Sequence, residues 1–162
     1  PAATTDHSVS VGDLDTAVVM TFFYSHCNTV CPFLISSMRK VQTDVVEAGY
    51  GDRVTFLPVT FDPARDDAER LREYARIMRV DLDASNWYFL RPDDHDHATE
   101  IVEERYGVAF EKTGSTDSSM YMYNHLGLLL VVNADGYVER AYTGDDPKGS
   151  RVWSALRTVL EA

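Results

Sequence analysis

Cys27 and Cys31 are the two cysteines of this 162-residue chain, and they stand four positions apart in the run Ser25-His26-Cys27-Asn28-Thr29-Val30-Cys31-Pro32. Two structural cysteines would be scattered by chance, and a disulfide scaffold needs more bridges than one pair can make. Their proximity points to a dithiol or a metal site. Three intervening residues put both sulfurs on one face where the segment is helical, spread enough to pinch an ion. The pair could still oxidise, because a disulfide asks for Cα atoms about 4.4–6.8 Å apart. A thiol that opens a helix is also expected to have a lowered pKa, since exposed N–H groups and the helix dipole stabilise the thiolate. A soft d10 ion such as Cu(I) accepts two thiolates and one imidazole, and the same set with a water serves Cu(II) or Zn. His125 is the best-placed imidazole, just ahead of a hairpin strand.

The elements that must hold these residues follow from periodicity. Residues 17–24 (AVVMTFFY) form a nearly continuous apolar run, the mark of a strand buried on both faces. The cysteine segment ends that strand. A helix follows it, because Leu34, Met38, Val41 and Val45 recur at helical spacing and Pro32 suits a first turn. Residues 54–61 (VTFLPVTF) predict a second strand, which Pro58 confines to an edge or a bulge. Asp66 is expected to cap the next helix with Glu69 three residues on, ahead of a stripe of Leu71, Tyr74, Ala75 and Met78. Residues 87–90 read as a short extended segment. Asp96 is expected to cap a short helix facing inward with Ala98, Ile101, Val102, Arg105 and Tyr106. Residues 112–119 read as a mobile polar loop, ahead of 120–123, His125 and a strand at 128–132. Asn133-Ala134-Asp135-Gly136 turns that strand into one at 137–142. A last helix spans about 150–160 with Val152, Trp153, Leu156 and Val159 inward. This order predicts a thioredoxin-like α/β fold: a central mixed sheet flanked by helices, one inserted helix, and the dithiol at the end of the first core strand.

Composition narrows the function classes. The chain carries 26 acidic against 15 basic residues, a net charge of −11, which repels phosphate backbones and argues against nucleic acid. No run of about 20 apolar residues is present to span a bilayer. Asp outnumbers Glu by 17 to 9, and lysine occurs at positions 40, 112 and 148 alone. An Asp-rich, Lys-poor surface stays hydrated in concentrated salt, so a halophilic source is expected. Residues 1–16 read as a polar lead-in, with room ahead of Pro1 for a removed signal or membrane anchor, and residues 17–162 as a single domain.

Three motifs carry a family resemblance. Residues 23–32, from Phe23 to Pro32, resemble the copper-site motif of the SCO/SenC family of copper chaperones for cytochrome oxidase. The segment from Val59 to Asp66 (VTFDPARD) is similar to that family's Val-Asp-Pro-Glu-Arg-Asp. Asn124-His125, ahead of an apolar strand and the Asn133–Gly136 turn, resembles its Asp-His followed by a strand and a glycine turn. The motifs occur in family order, from Val9 to the end of the chain. The resemblance implies a thioredoxin-like domain tethered to a membrane on its extracytoplasmic side, which binds copper, as Cu(I) or Cu(II), through Cys27, Cys31 and His125. It also implies delivery of that copper to the dinuclear site of cytochrome oxidase subunit II, with another copper donor protein as a second partner. Two departures remove carboxylates near the metal: Asn28-Thr29 replaces the usual Pro-Asp, and Asn124 stands where Asp is usual.

Other residues carry less. Asp93-Asp94-His95-Asp96-His97 reads as a solvated acidic loop capping a helix rather than a cation site. His26 reads as a packing residue beside Cys27, Asp62 and Arg65 as rim residues by resemblance, and His7 as a bystander. The competing function is a thiol–disulfide oxidoreductase that keeps the oxidase cysteines reduced, which would make the chain an enzyme rather than a carrier. It needs the dithiol and not His125. A peroxiredoxin would carry a Thr or Ser three residues before its reactive cysteine, where this chain has Tyr24 and Asn28, and a closed structural zinc site lacks a fourth ligand.

Overall fold

The computed structural model describes residues 8–27, 30–114, 121–125, 127–143 and 148–162. Strand β1 (Ala17–Phe23) is buried along its whole length. It lies between β2 (Val54–Thr60), to which it runs parallel, and β5 (Leu128–Val132), to which it runs antiparallel. Strand β6 (Val138–Thr143) closes the far side, so the sheet order is β2-β1-β5-β6. The 133–136 turn joins β5 to β6, and Gly136 takes a left-handed backbone there (φ +88°) that a Cβ would strain. This is the mixed sheet of the expected thioredoxin-like fold.

Helix α1 (Val30–Glu47) crosses from β1 to β2 and buries Leu34, Met38, Val41 and Val45 completely, the four residues whose spacing announced it. Helix α4 (Gly149–Glu161) packs beside it, with Val152, Leu156 and Leu160 buried. Trp153 and Val159 are half-buried at its margin. Helix α2 (Ala68–Ile77) buries Leu71, Tyr74 and Ala75. A short helix α3 (His95–Thr99) continues as a wider π-helical turn (Glu100–Arg105). Ala98 and Val102 point inward, whereas Arg105, expected inside, is 66% exposed and pairs with Glu100 at 2.6 Å. A guanidinium that reaches a carboxylate in water has no reason to be buried.

Pro58 sits where its chemistry allows, on the outer side of the sheet. The 86–90 segment runs parallel to β2 there: Asn86 O accepts from Phe56 N at 2.7 Å and Leu90 O accepts from Thr60 N at 3.0 Å. Pro58 lies between those two donors and has none to offer, so the segment forms two isolated bridges instead of a fifth strand. Two helix caps differ from expectation. The α2 cap is Asp67, accepting from Arg70 N at 2.8 Å, and the α3 cap is Asp94, accepting from His97 N at 2.8 Å. Asp66 is drawn into the interior, which shifts the helix start by one. Asp96 lies inside the first turn of α3, where a carboxylate cannot reach the leading amides. The expected loop at 112–119 begins later, because residues 112–114 belong to β3 (Phe110–Gly114), which pairs with β4 (Tyr121–His125) as a separate hairpin. Residues 115–119 lie outside the described residues.

Phe23 joins β1 to two other elements. Its ring stacks on Tyr74 of α2 at 5.4 Å and meets Phe89 at 5.6 Å. Phe23→Ala is expected to lower unfolding free energy by about 3–5 kcal/mol, read from urea denaturation, with an unchanged dependence on urea concentration.

Candidate metal centre

Beyond Phe23 the chain leaves the sheet in a tight turn, and Cys27 N donates back to Tyr24 O at 3.2 Å. The turn is pinned from below. Ser25 N donates to Asp66 Oδ2 at 3.0 Å, and the Ser25 hydroxyl donates to Asp66 Oδ1. Thr60 Oγ1 on β2 donates to the same carboxylate at 2.6 Å. From the other side Arg70 of α2 donates through Nε to Ser25 Oγ at 2.9 Å and through Nη2 to Ser25 O at 3.2 Å. Asp66 is fully buried, so these bonds take the place of its hydration. Sequence reasoning assigned it to a helix cap, and its place in the Asp-Pro-Ala-Arg-Asp motif was the one signal of its real position.

Both cysteines are present as thiols and are buried, Cys27 just before α1 and Cys31 as its second residue. Burial pushes the Cys31 thiol far up, and Cys27 pushes the same way, against a smaller opposing hydrogen bond from the Tyr24 backbone. The expectation of a lowered pKa therefore fails at Cys31. A helix terminus is worth about 0.3–1 kcal/mol, or about 2 in a partly buried site, whereas full burial shifts a thiol by as much as about 3–5 pKa units.

Tyr24 lies against the pair. Burial pushes the pKa of its hydroxyl up to about 12. Phe61 and Tyr123 pack on its ring at 5.4 and 5.3 Å, and the Arg65 guanidinium lies 5.9 Å from its centre. Arg65 in turn donates to Asp62 at 2.6 Å, both largely buried, which places the two expected rim residues beside the site.

His125 is described by its backbone. It ends β4, opposite Phe110 in register, and so stands just ahead of β5 as its sequence position implied. Tyr123, two residues earlier, contacts Tyr24 directly, so the dithiol turn and the His125 strand are neighbours. Asn124 is likewise described by its backbone in β4, and Asn28, Thr29 and His7 lie outside the described residues.

Among the described residues one group has ligand atoms close enough for an ion: His26, Asp62 and Asp66, all within 4.8 Å. Its carboxylates already serve Arg65, Ser25 and Thr60. His26 Nδ1 lies 3.4 Å from Ser25 Oγ, and burial, Arg65 and Arg70 lower its pKa. Its side chain is exposed, so it does not pack in the core, and it lies 4.0 Å from the buried Asp66 carboxylate at the edge of the turn. The 93–97 run forms no such group: Asp94 caps α3, and His97 Nδ1 accepts from Asp93 N at 3.1 Å.

Asp66 yields a pH test. Burial raises its pKa above the ordinary 3.8, with the Ser25 and Thr60 bonds working against that rise. A carboxyl raised on folding stabilises the fold fully below its unfolded pKa, and that contribution is lost as pH climbs through the folded value. The stability difference between wild type and Asp66→Asn should therefore shift against wild type as pH rises above 3.8, measured by urea denaturation at stepped pH. A shift in favour of wild type would contradict the raised pKa.

A family model described as SCO1/SenC matches residues 3–161. An SCO2-like protein of Rickettsia prowazekii (strain Madrid E) is 26% identical over 125 residues, covering 75% of this chain and 56% of that protein. The SCO1 protein homolog of Bacillus subtilis (strain 168) is 24% identical over 123 residues, covering 76% of this chain and 60% of that protein. The chain thus spans little more than half the length of these curated relatives. Among solved structures, a SCO1/SenC family lipoprotein from Bacillus anthracis str. Ames superposes with a TM-score of 0.73 at 20% identity, covering 90% of this chain and 82% of that one. Bradyrhizobium japonicum ScoI with copper bound gives 0.71 at 21%, covering 93% and 90%. BsSco, described as a Sco-family cytochrome c oxidase assembly protein with a disulfide switch, gives 0.68 at 18%, covering 90% and 80%. At these identities the structural likeness is one of fold.

Proposed function

The chain belongs to the SCO1/SenC family, and we propose that it is a metallochaperone domain that binds one copper ion through Cys27, Cys31 and His125. Its recipient is the dinuclear copper site of cytochrome oxidase subunit II. The observation that carries this reading is the buried thiol pair at the start of α1, with the strand that ends in His125 packed beside it through Tyr24. Two thiolates and an imidazole suit Cu(I), and two exchangeable sulfurs let a partner's cysteines take over the ion stepwise. The copper-bound ScoI neighbour and the oxidase-assembly role stated for BsSco support the cargo and the destination. The lipoprotein neighbour supports a membrane tether on the extracytoplasmic side; no helix among the described residues is long and apolar enough to cross a membrane.

The test is anaerobic titration of the reduced protein with Cu(I) and Cu(II). Stoichiometric uptake is expected, lost in Cys27→Ser and weakened in His125→Ala for Cu(II). Because Cys31 begins protonated, uptake must release a proton, and apparent affinity should rise about tenfold per pH unit for each proton displaced. Wild-type binding by both variants would end this reading.

A second reading is favoured by the presence of two buried thiols in one turn, which can close into a disulfide, passing two electrons to the target's disulfide and releasing two protons. An oxidoreductase acting on the oxidase cysteines would keep its full disulfide-exchange rate in His125→Ala, whereas a copper carrier would bind Cu(II) more weakly in that variant.

The acidic, lysine-poor composition supports a high-salt setting. The melting temperature is expected to climb as salt is raised from dilute buffer; full stability in dilute buffer would contradict it.

A further inference from the structure

Strand β4 pairs with β3 on one side, and among the described residues it has no strand on the other. At Tyr123 that open edge is met by a side chain. Tyr123 N donates to the Tyr24 hydroxyl at 3.2 Å, and the same hydroxyl reaches Tyr123 O at 3.4 Å. One phenol oxygen thus serves both main-chain groups of a strand residue, as a partner strand would. Tyr24 also holds the dithiol turn, because Cys27 N donates to Tyr24 O at 3.2 Å. Cys27 and the backbone of residue 123 are therefore both held by one residue, Tyr24, and His125 lies two residues further along that strand. The ring itself is held without the hydroxyl, by Phe61, Tyr123 and Arg65. Both Tyr24 and Tyr123 are buried, so water cannot substitute for the bond.

From this geometry we infer that the Tyr24 hydroxyl is a positioning group, registering the His125 strand against the dithiol so that imidazole and sulfurs meet one ion. The inference rests on the ligand set proposed above. Without the hydroxyl the ring still packs, but the edge of β4 loses its tie and the hairpin can shift relative to the cysteines. The effect falls on the ion that needs the imidazole. Cu(II) prefers a nitrogen donor and a fixed geometry, whereas Cu(I) is satisfied by two thiolates.

The test is Tyr24→Phe, which keeps the ring. In the metal-free protein, amide exchange at Tyr123 should accelerate roughly tenfold, the weight of one neutral hydrogen bond, while exchange at Leu129 and Val131 of β5 stays as in wild type. Cu(II) affinity should fall roughly tenfold toward the His125→Ala value, with loss of the nitrogen signature in its paramagnetic spectrum, and Cu(I) affinity should change much less. Fast exchange at β5 as well would mean general loosening and would overturn the inference. So would a wild-type Cu(II) site despite faster exchange at Tyr123, because the hydroxyl would then be structural alone. If His125→Ala binds Cu(II) like wild type, the ligand set fails instead, and the Tyr123 exchange result stands apart from it.

Discussion

A carboxylate with no access to water has to be bonded on every side or neutral, and Asp66 meets that demand with the very turn that presents the cysteines. It accepts from the Ser25 amide, the Ser25 hydroxyl and Thr60, and so joins β2, the start of α2 and the exit of β1 in one knot. Within the turn Cys27 N donates to Tyr24 O, and from outside Asp66 and Arg70 bind both the main chain and the hydroxyl of Ser25. The turn's shape is therefore imposed from Asp66 and Arg70, and everything the thiols do depends on it. Two effects oppose each other at this carboxylate: burial favours the neutral acid and the three donors favour the anion, with burial the larger.

The same contest, burial against local polarity, sets the state of the sulfurs. A thiol at a helix start would be a ready nucleophile in an open site. At Cys31 the sheet, α1 and the aromatic wall exclude water, and the thiol stays protonated. A dithiol of that kind resists stray oxidation and gives up its protons when a better partner, a soft metal or an incoming disulfide, makes the exchange favourable. Both proposed functions draw on this property. What separates them is the third group, and hence the register of β4.

That register is held by aromatic packing and by one hydroxyl. Phe61, Phe110, Tyr24 and Tyr123 form a cluster in which Phe61 and Phe110 stack at 4.8 Å and the other contacts are tilted or edge-on. Phe110 is the register partner of His125, so the cluster supports the hairpin close to the proposed third ligand. Ring packing tolerates small slides, because dispersion falls off gently with displacement along a ring face. A hydrogen bond does not, which is why the Tyr24 hydroxyl has a distinct role within an otherwise apolar wall.

Much of this was legible in residue order. The continuous apolar run of β1, the helical spacing of Leu34, Met38, Val41 and Val45, the Asn133–Gly136 turn and the pairing of Cys27 with Cys31 are local patterns, and each element appears where its pattern lies. The edge position of Pro58 follows from its missing N–H, a property of one residue. The features that escaped are those decided by partners distant in sequence. Asp66 reads as a cap because a carboxylate before a helix ordinarily is one, and only the fold sets it against Ser25, 41 positions away. The hairpin of β3 and β4 was hidden because a strand paired at one edge needs no apolar alternation. The direction of the Cys31 pKa could not be read at all, since a helix start lowers it and burial raises it. Sequence by itself determined which groups are available for chemistry and which elements carry them. Their protonation, and the contact between Tyr24 and Tyr123 across 99 residues, were decided by the tertiary structure, because exclusion of water is a property of the packed whole.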